Sequence, residues 1–219
     1  MENIELRDIH KSYGQVEVLK GISLTVPARS IVTVTGASGA GKTTLLQIMG
    51  TLDTPDFGTV LYDDIDVTAL RDKRLSSFRG RHIGFIFQTH QLLPEFTAQE
   101  NVMLPALIAG TKRSRAAGRA AELLELLGLR DRLRHKPSAM SGGERQRVAV
   151  ARALINDPDI VFADEPTGSL DSRNRDEICR LFQDLHERIG QGFVIVTHDP
   201  DLASIGHQVL HIKDGLMQE

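Results

Sequence analysis

Apolar residues recur along the chain in short runs separated by polar, helix-forming stretches. The runs of strand length lie at residues 22–26, 31–35, 83–87, 160–163 and 193–196. Several are unbroken and rich in β-branched residues, the pattern of strands covered on both faces. Between them the spacing becomes helical, around 43–49, 115–127, 144–155 and 173–188. Strands alternating with helices predict an α/β fold with a mostly parallel sheet covered on both sides. The first 30 residues differ. Ile4, Leu6 and Ile9 alternate loosely with polar residues, and Ile22, Leu24 and Val26 alternate strictly. That pattern predicts an antiparallel edge sheet. Residues from about 90 to 140 are rich in Ala, Leu and Arg and carry no strand pattern. They predict a helical insertion within one domain spanning 1–219.

Composition adds mostly exclusions. Hydrophobic residues make up 41% and charged residues 25%, which argues against global disorder. Twenty-six Lys and Arg against 29 Asp and Glu leave a net charge of -3. That balance gives no electrostatic case for binding nucleic acid. The single cysteine, Cys179, cannot form an internal disulfide, and it sits with Ile178 and Leu181 in a helical pattern as core filling. The N-terminus has no signal-peptide pattern, and no stretch approaches the length of a membrane span. A reducing compartment is expected, with no direct membrane insertion and any membrane role carried by a partner. The basic segment with Arg71, Lys73, Arg74, Arg79 and Arg81 reads as a solvated helix face.

Three motifs carry chemistry. Residues 36–43 read Gly-Ala-Ser-Gly-Ala-Gly-Lys-Thr, the phosphate-binding loop pattern, after a β-branched run and before a helix. Gly36, Gly39 and Gly41 let the backbone turn so that its N–H groups, with those of Ser38, Ala40 and Thr44, face phosphate oxygens. Lys42 suits the β- and γ-phosphates, and Thr43 suits Mg²⁺. Residues 160–165 form an apolar strand ending in Asp164 and Glu165. The first carboxylate suits Mg²⁺, and the second suits proton transfer from an attacking water. Ser141, Gly142, Gly143 and Glu144 open a helix. Ser141 and Glu144 have capping-box spacing, and the glycines leave a helix N-terminus open to an anion. Alone, this third motif reads mainly as a well-capped helix and nothing more. Two such anion sites in one chain suggest that each faces the other in a second copy.

These motifs, with Thr197-His198-Asp199 downstream, resemble the nucleotide-binding subunit of ABC transporters over essentially the whole chain. The resemblance implies a P-loop ABC ATPase core with a mostly parallel sheet, an antiparallel β subdomain and a helical subdomain. It implies ATP and Mg²⁺ as ligands and a homodimer that sandwiches two ATP molecules. Ser141, Gly142 and Gly143 of one copy would cap the γ-phosphate held by the other. Tyr13 would stack on adenine, Gln88 would sense Mg²⁺, Asp171 would lie in the loop that crosses the dimer interface, and His198 would contact the γ-phosphate. The residues alone also allow Tyr13 to pack an edge strand and His198 to be a satisfied loop histidine. Two departures from the family pattern are Met140 for Leu and Glu144 for Gln. The second places an acid near the partner copy's nucleotide.

After Gln88 the chain reads Thr-His-Gln-Leu-Leu-Pro-Glu-Phe-Thr-Ala-Gln-Glu-Asn-Val. This resembles the branch of lipoprotein-releasing and macrolide-exporting ATPases, and the lipoprotein-releasing kind most. The implied role is to energise a separate integral membrane permease from the cytoplasmic face of the inner membrane. A MacB-like exporter or a peptide-sensing or mechanotransmitting complex is the alternative within the branch. A soluble switch on DNA or ribosomes is remote, because the chain has no coiled-coil insertion and one set of motifs.

Overall fold

The computed structural model describes residues 1–218. The chain begins with β1 (Asn3–Tyr13), β2 (Val16–Pro27), β3 (Ile31–Thr35), α1 (Lys42–Met49), β4 (Phe57–Tyr62), β5 (Ile65–Asp66), α2 (Asp72–His82) and β6 (Ile83–Ile86). It continues with α3 (Ala98–Ile108), α4 (Arg113–Leu126), α5 (Gly142–Leu154), β7 (Ile160–Asp164), α6 (Ser172–Ile189), β8 (Gly192–Val196), α7 (Pro200–Ser204), β9 (Gln208–Lys213) and β10 (Leu216–Gln218).

The five strand-length runs are all strands. Four of them, β3, β6, β7 and β8, pair in parallel within a six-stranded sheet ordered β10-β9-β3-β8-β7-β6. β8 is buried at all five positions, and β3 and β7 are buried at all but their last residue. Continuous apolar sequence is therefore the mark of double coverage. The fifth run lies in the antiparallel sheet β2-β1-β4-β5. There Ile4, Leu6 and Ile9 pair with Val26, Leu24 and Ile22, so the two alternating sets face one another across the register.

Two apolar cores result. One lies between the antiparallel sheet, α1 and the parallel sheet, around Ile9, Leu45, Tyr62 and Phe162. The other joins the opposite face of the parallel sheet to α3–α6, around Val102, Leu124, Val150 and Phe182. Each fully buried Leu, Ile or Phe contributes about 1.5–3 kcal/mol from removal of apolar surface from water. Cys179 belongs to the second core, where burial and the nearby Asp199 and Asp176 push its thiol up to about 11.

Several elements had no clear signal. β4, β5, β9 and β10 are short or lie at sheet edges with few buried positions. Gly58 breaks the alternation in β4, and its backbone passes so near β1 that a Cβ there would lie 2.3 Å from the Asp8 carbonyl oxygen. α2 has no fully buried residue, as its basic sequence suggests, with one correction. Arg79 is not simply solvated, since it donates to the Thr51 carbonyl at 2.6 Å and ties α2 to the loop after α1.

Residues 90–140 hold α3, α4 and two 3₁₀ turns, Arg130–Arg132 and Pro137–Ala139. α3 starts with a capping box between Thr97 and Glu100. Fully buried Asn101 fastens the preceding loop, accepting from Leu93 N–H at 2.8 Å and donating to the carbonyls of Leu93, Phe96 and Thr97. No helix among the described residues is long and apolar enough to cross a membrane.

Candidate active site

The parallel strands deliver four chain exits to one end of the sheet. The loop after β3 turns at Gly36, whose φ is +148° and whose Cβ would lie 2.2 Å from the Ile212 carbonyl oxygen. It ends at Gly41, in the left-handed region at φ +103°, which precedes α1 and gives it no side-chain cap. The first N–H groups of α1 are thus left for an external acceptor. Lys42 folds over the same loop and donates to the carbonyls of Gly36 and Ala37, both at 2.9 Å.

Thr43 donates to Asp164 Oδ1 at 3.1 Å, joining the loop to the end of β7. Burial, together with the neighbouring Glu165 charge, holds the Asp164 carboxyl above the usual carboxylate range, against the Thr43 hydrogen bond and Lys42. Glu165 follows in a left-handed backbone conformation, φ 45°. Such strain in a non-glycine residue persists only where its surroundings enforce it. Here Glu165 N–H donates to the Val196 carbonyl at 2.9 Å, and Oε1 meets His198 Nδ1 at 2.8 Å. The His198 ring is exposed, so Glu165 supplies its anchor.

A cleft of about 620 Å³ opens over these groups. It brings together Tyr13, Ser38, Gly39, Gly41, Lys42, Thr43, Thr44, Gln88, Glu165 and His198. Gly36 and Ala40 support the loop from beneath, and Asp164 borders the cleft through Thr43. Tyr13 is half exposed at the rim, its hydroxyl donating to Asp53 at 2.6 Å and Lys11 lying over its ring. That packing leaves its ring to the cleft rather than to a strand core. The Gln88 amide lies beside Gly168, where a Cβ would come within 3.0 Å of Nε2.

Ser141, Gly142, Gly143 and Asp171 do not line this cleft. Ser141 and Glu144 form the expected capping box at the start of α5. Asp171 caps α6, accepting from Asn174 N–H at 2.9 Å and from its side-chain amide at 2.8 Å. Asn174, which motif reading passed over, joins the two clusters: a Cβ on Gly143 would sit 2.2 Å from its Oδ1. Glu144 has a second partner besides the capping box. Arg132 Nε donates to it at 2.7 Å and Ser141 N–H at 2.7 Å, and the Arg132 bond leads in holding its carboxyl low. The acid is therefore turned back into its own chain. Arg152 was also missed. It donates to the carbonyls of His90 at 2.8 Å and Gln91 at 2.6 Å, fixing the turn just after Gln88.

A hydroxyl, a carboxylate and an amide around Thr43 form the oxygen-rich set that a hard divalent cation prefers. A cation there would also relieve the burial and like-charge repulsion that raise Asp164. A glycine loop opening a helix, beside a strand that ends in paired carboxylates, defines a P-loop nucleoside triphosphatase.

The chain belongs to the ABC transporter family, whose model matches residues 19–168. It is an ATPase of that family. Among curated relatives, the lipoprotein-releasing system ATP-binding protein LolD of Bacteroides fragilis is 58% identical over 212 residues. That alignment covers 97% of this chain and 98% of the relative. LolD of Porphyromonas gingivalis is 54% identical, covering 98% of each. A solved dimeric ATP-binding cassette in a post-hydrolysis state, bound to ADP and Pi, matches with a TM-score of 0.90 and 38% identity. It covers 99% of this chain and 97% of its own.

Asp164→Asn tests the electrostatic description. The amide keeps an acceptor for Thr43 and removes a carboxylate that burial and Glu165 disfavour. Because the folded-state carboxyl titrates above its unfolded value, the penalty is present at neutral pH, where both states are ionised. It disappears as pH falls through the carboxylate range. The nucleotide-free variant is expected to melt about 2 °C higher at pH 7.5, a shift typical of this chain length, with the gain shrinking toward pH 4. Differential scanning calorimetry giving a lower melting temperature at pH 7.5 would contradict the description.

Proposed function

We propose that this chain is the ATP-hydrolysing subunit of a lipoprotein-releasing ABC transporter, acting on a separate permease at the cytoplasmic face of the inner membrane. The observation that carries the hydrolytic role is the Glu165–His198 contact at the cleft, with Glu165 locked by its own backbone. The relatives named for lipoprotein release, aligned over nearly the full chain, support the cargo class.

The N–H groups of the 36–41 loop and the Lys42 ammonium bind the ATP phosphates, and the Tyr13 ring meets the adenine at the rim. Thr43, Asp164 and Gln88 would hold Mg²⁺, which supplies charge neutralisation at the phosphates. Glu165 accepts a proton at its carboxylate from the attacking water, the role of a positioned general base. His198 keeps that carboxylate aimed and stabilises charge on the transferring phosphoryl group. Ser141, Gly142 and Gly143 of a second copy cover the γ-phosphate, and Asp171 lies at the same junction. The solved dimeric cassettes support this pairing.

The permease has a fitting surface. A groove of about 510 Å³ runs between the sheet end and the 90–140 segment, lined by Phe85, Phe87, Leu93, Leu104 and Ile108. Ile108 is 85% exposed, far more than an aliphatic side chain needs to be. Gln91 and Arg152 line the same groove, so it adjoins the turn that follows Gln88. The helical segment forms a subdomain whose movement on closure transmits ATP binding to the permease.

Glu165→Gln is expected to lower ATP turnover by about 10²–10⁴-fold, the usual contribution of a general base. Nucleotide binding persists, and the ATP-bound dimer accumulates. Turnover equal to wild type in a phosphate-release assay would remove Glu165 from the role. Ile108→Glu is expected to leave the melting temperature unchanged, as surface substitutions do. It should strip permease chains and lipoprotein from a tagged pull-down of detergent-solubilised membranes. Permease recovered at the wild-type level would place docking elsewhere.

A further inference from the structure

His198 lies two residues beyond the end of β8, and its ring has one anchor, the Glu165 carboxylate at 2.8 Å. The segment that carries it is held by further bonds, among them Thr197 Oγ1 and His198 N–H to Glu165 Oε2, both at 3.4 Å, and Ala203 N–H to the Asp199 carbonyl at 2.9 Å. Thr197 N–H donates to the Val34 carbonyl at 3.1 Å, extending the sheet by one residue. Asp199 N–H donates to Thr197 Oγ1 at 3.0 Å, and Asp199 Oδ1 accepts from Asp201 N–H at 3.0 Å. The remaining oxygen, Asp199 Oδ2, faces Arg175 Nε at 3.2 Å, an ion pair without the alignment of a hydrogen bond. The carboxylate is 8% exposed and the arginine 39%.

Arg175 lies in the first turn of α6, its N–H donating to the carbonyl of the helix cap Asp171 at 2.9 Å. A small cavity of about 170 Å³ brings Thr167, Gly168, Arg175, His198 and Asp199 to one place. The loop that ends at Asp171 and the segment that carries His198 therefore share one ionic link.

We propose that Arg175 is a positioning residue for hydrolysis: by pairing with buried Asp199 it holds the His198 segment against the Asp171 loop. The inference rests on the reading of His198 given above. Removing the cation leaves a buried carboxylate without a counter-charge, a state far costlier than an exposed one. The segment then opens to hydrate Asp199 and takes His198 with it. Sub-ångström placement of a catalytic side chain is worth large factors in rate, whereas no residue of the phosphate-binding loop lines the cavity around Arg175 and Asp199. The effect therefore falls on kcat and not on ATP affinity. The same link lets a second copy meeting Asp171 steady the histidine of the first.

The test is steady-state ATPase kinetics with melting temperatures on the full chain, for wild type, Arg175→Ala, Arg175→Lys, Arg175→Gln, Asp199→Asn, the Arg175→Ala/Asp199→Asn double variant and His198→Ala. Arg175→Ala is expected to lower kcat about tenfold, the scale of a small misplacement, with KM for ATP unchanged. Arg175→Lys should regain most of the loss. The double variant should be no slower than Arg175→Ala alone, the non-additivity of a coupled pair. Should Arg175→Ala not fold, Arg175→Gln keeps most of the side chain while removing the cation, and carries the same expected drop. Wild-type kcat in Arg175→Ala, equal losses in kcat and ATP affinity, or additive losses in the double variant would each overturn the proposal. Full activity in His198→Ala would instead overturn the reading of the site on which it rests.

Discussion

The parallel ladder among β3, β8, β7 and β6 is the constraint on which the cleft depends. Val34 pairs with Val196, Asp164 with Val196, and Ile86 with Ala163, so the strands end level. Ligands in such sheets gather at the carboxyl ends because all the chain exits are there. In this chain the ladder runs one bond further at two of them. Glu165 N–H donates to the Val196 carbonyl, and Thr197 N–H donates to the Val34 carbonyl. The residues proposed for proton transfer and phosphate contact are thus placed by backbone bonds of the sheet itself. A slip of one residue in this register would turn every side chain to the opposite face and dissolve the cleft.

The second half of the proposed chemistry stands on different elements. Ser141, Gly142 and Gly143 open α5, Asp171 caps α6, and Asn174 packs between them. The capping box uses the Ser141 hydroxyl on Glu144 N–H and the Glu144 carboxylate on Ser141 N–H. Arg132 adds a counter-charge that keeps Glu144 turned inward, so the acid that replaces glutamine need not face a phosphate. Both ends of this arrangement are explained by one chain's packing, yet they lie outside the cleft that holds Lys42 and Glu165. The proposed pairing of two copies would bring the two clusters into one shared site.

Much of this was legible in the sequence because it is local. Continuous apolar runs marked the doubly covered strands, and strict alternation at Ile22, Leu24 and Val26 marked the antiparallel sheet. The loop glycines and the Asp164-Glu165 strand end announced themselves by spacing. What was not legible depends on distant packing. β4 and β9 carry too few buried positions to show a period. Arg79 reads as one of a run of solvated cations until the Thr51 carbonyl is seen beside it. Asn174, Arg152 and Arg175 belong to no motif, and their partners lie 31, 61 and 24 residues away. The Ser141–Glu144 capping box was legible from its spacing, whereas the added Arg132 partner was not, because it comes from the preceding segment.

The central claim is that hydrolysis needs Lys42 of one copy and Ser141 of another. It is tested most directly by mixing two inactive variants, Lys42→Ala and Ser141→Arg, and measuring phosphate release. Each homodimer is defective at both sites. The mixed dimer restores one intact site, formed by Lys42 of the Ser141→Arg copy and Ser141 of the Lys42→Ala copy. The account predicts that the mixture hydrolyses ATP where neither variant does alone. A mixture as inactive as its components, with mixed dimers demonstrably formed, would contradict it.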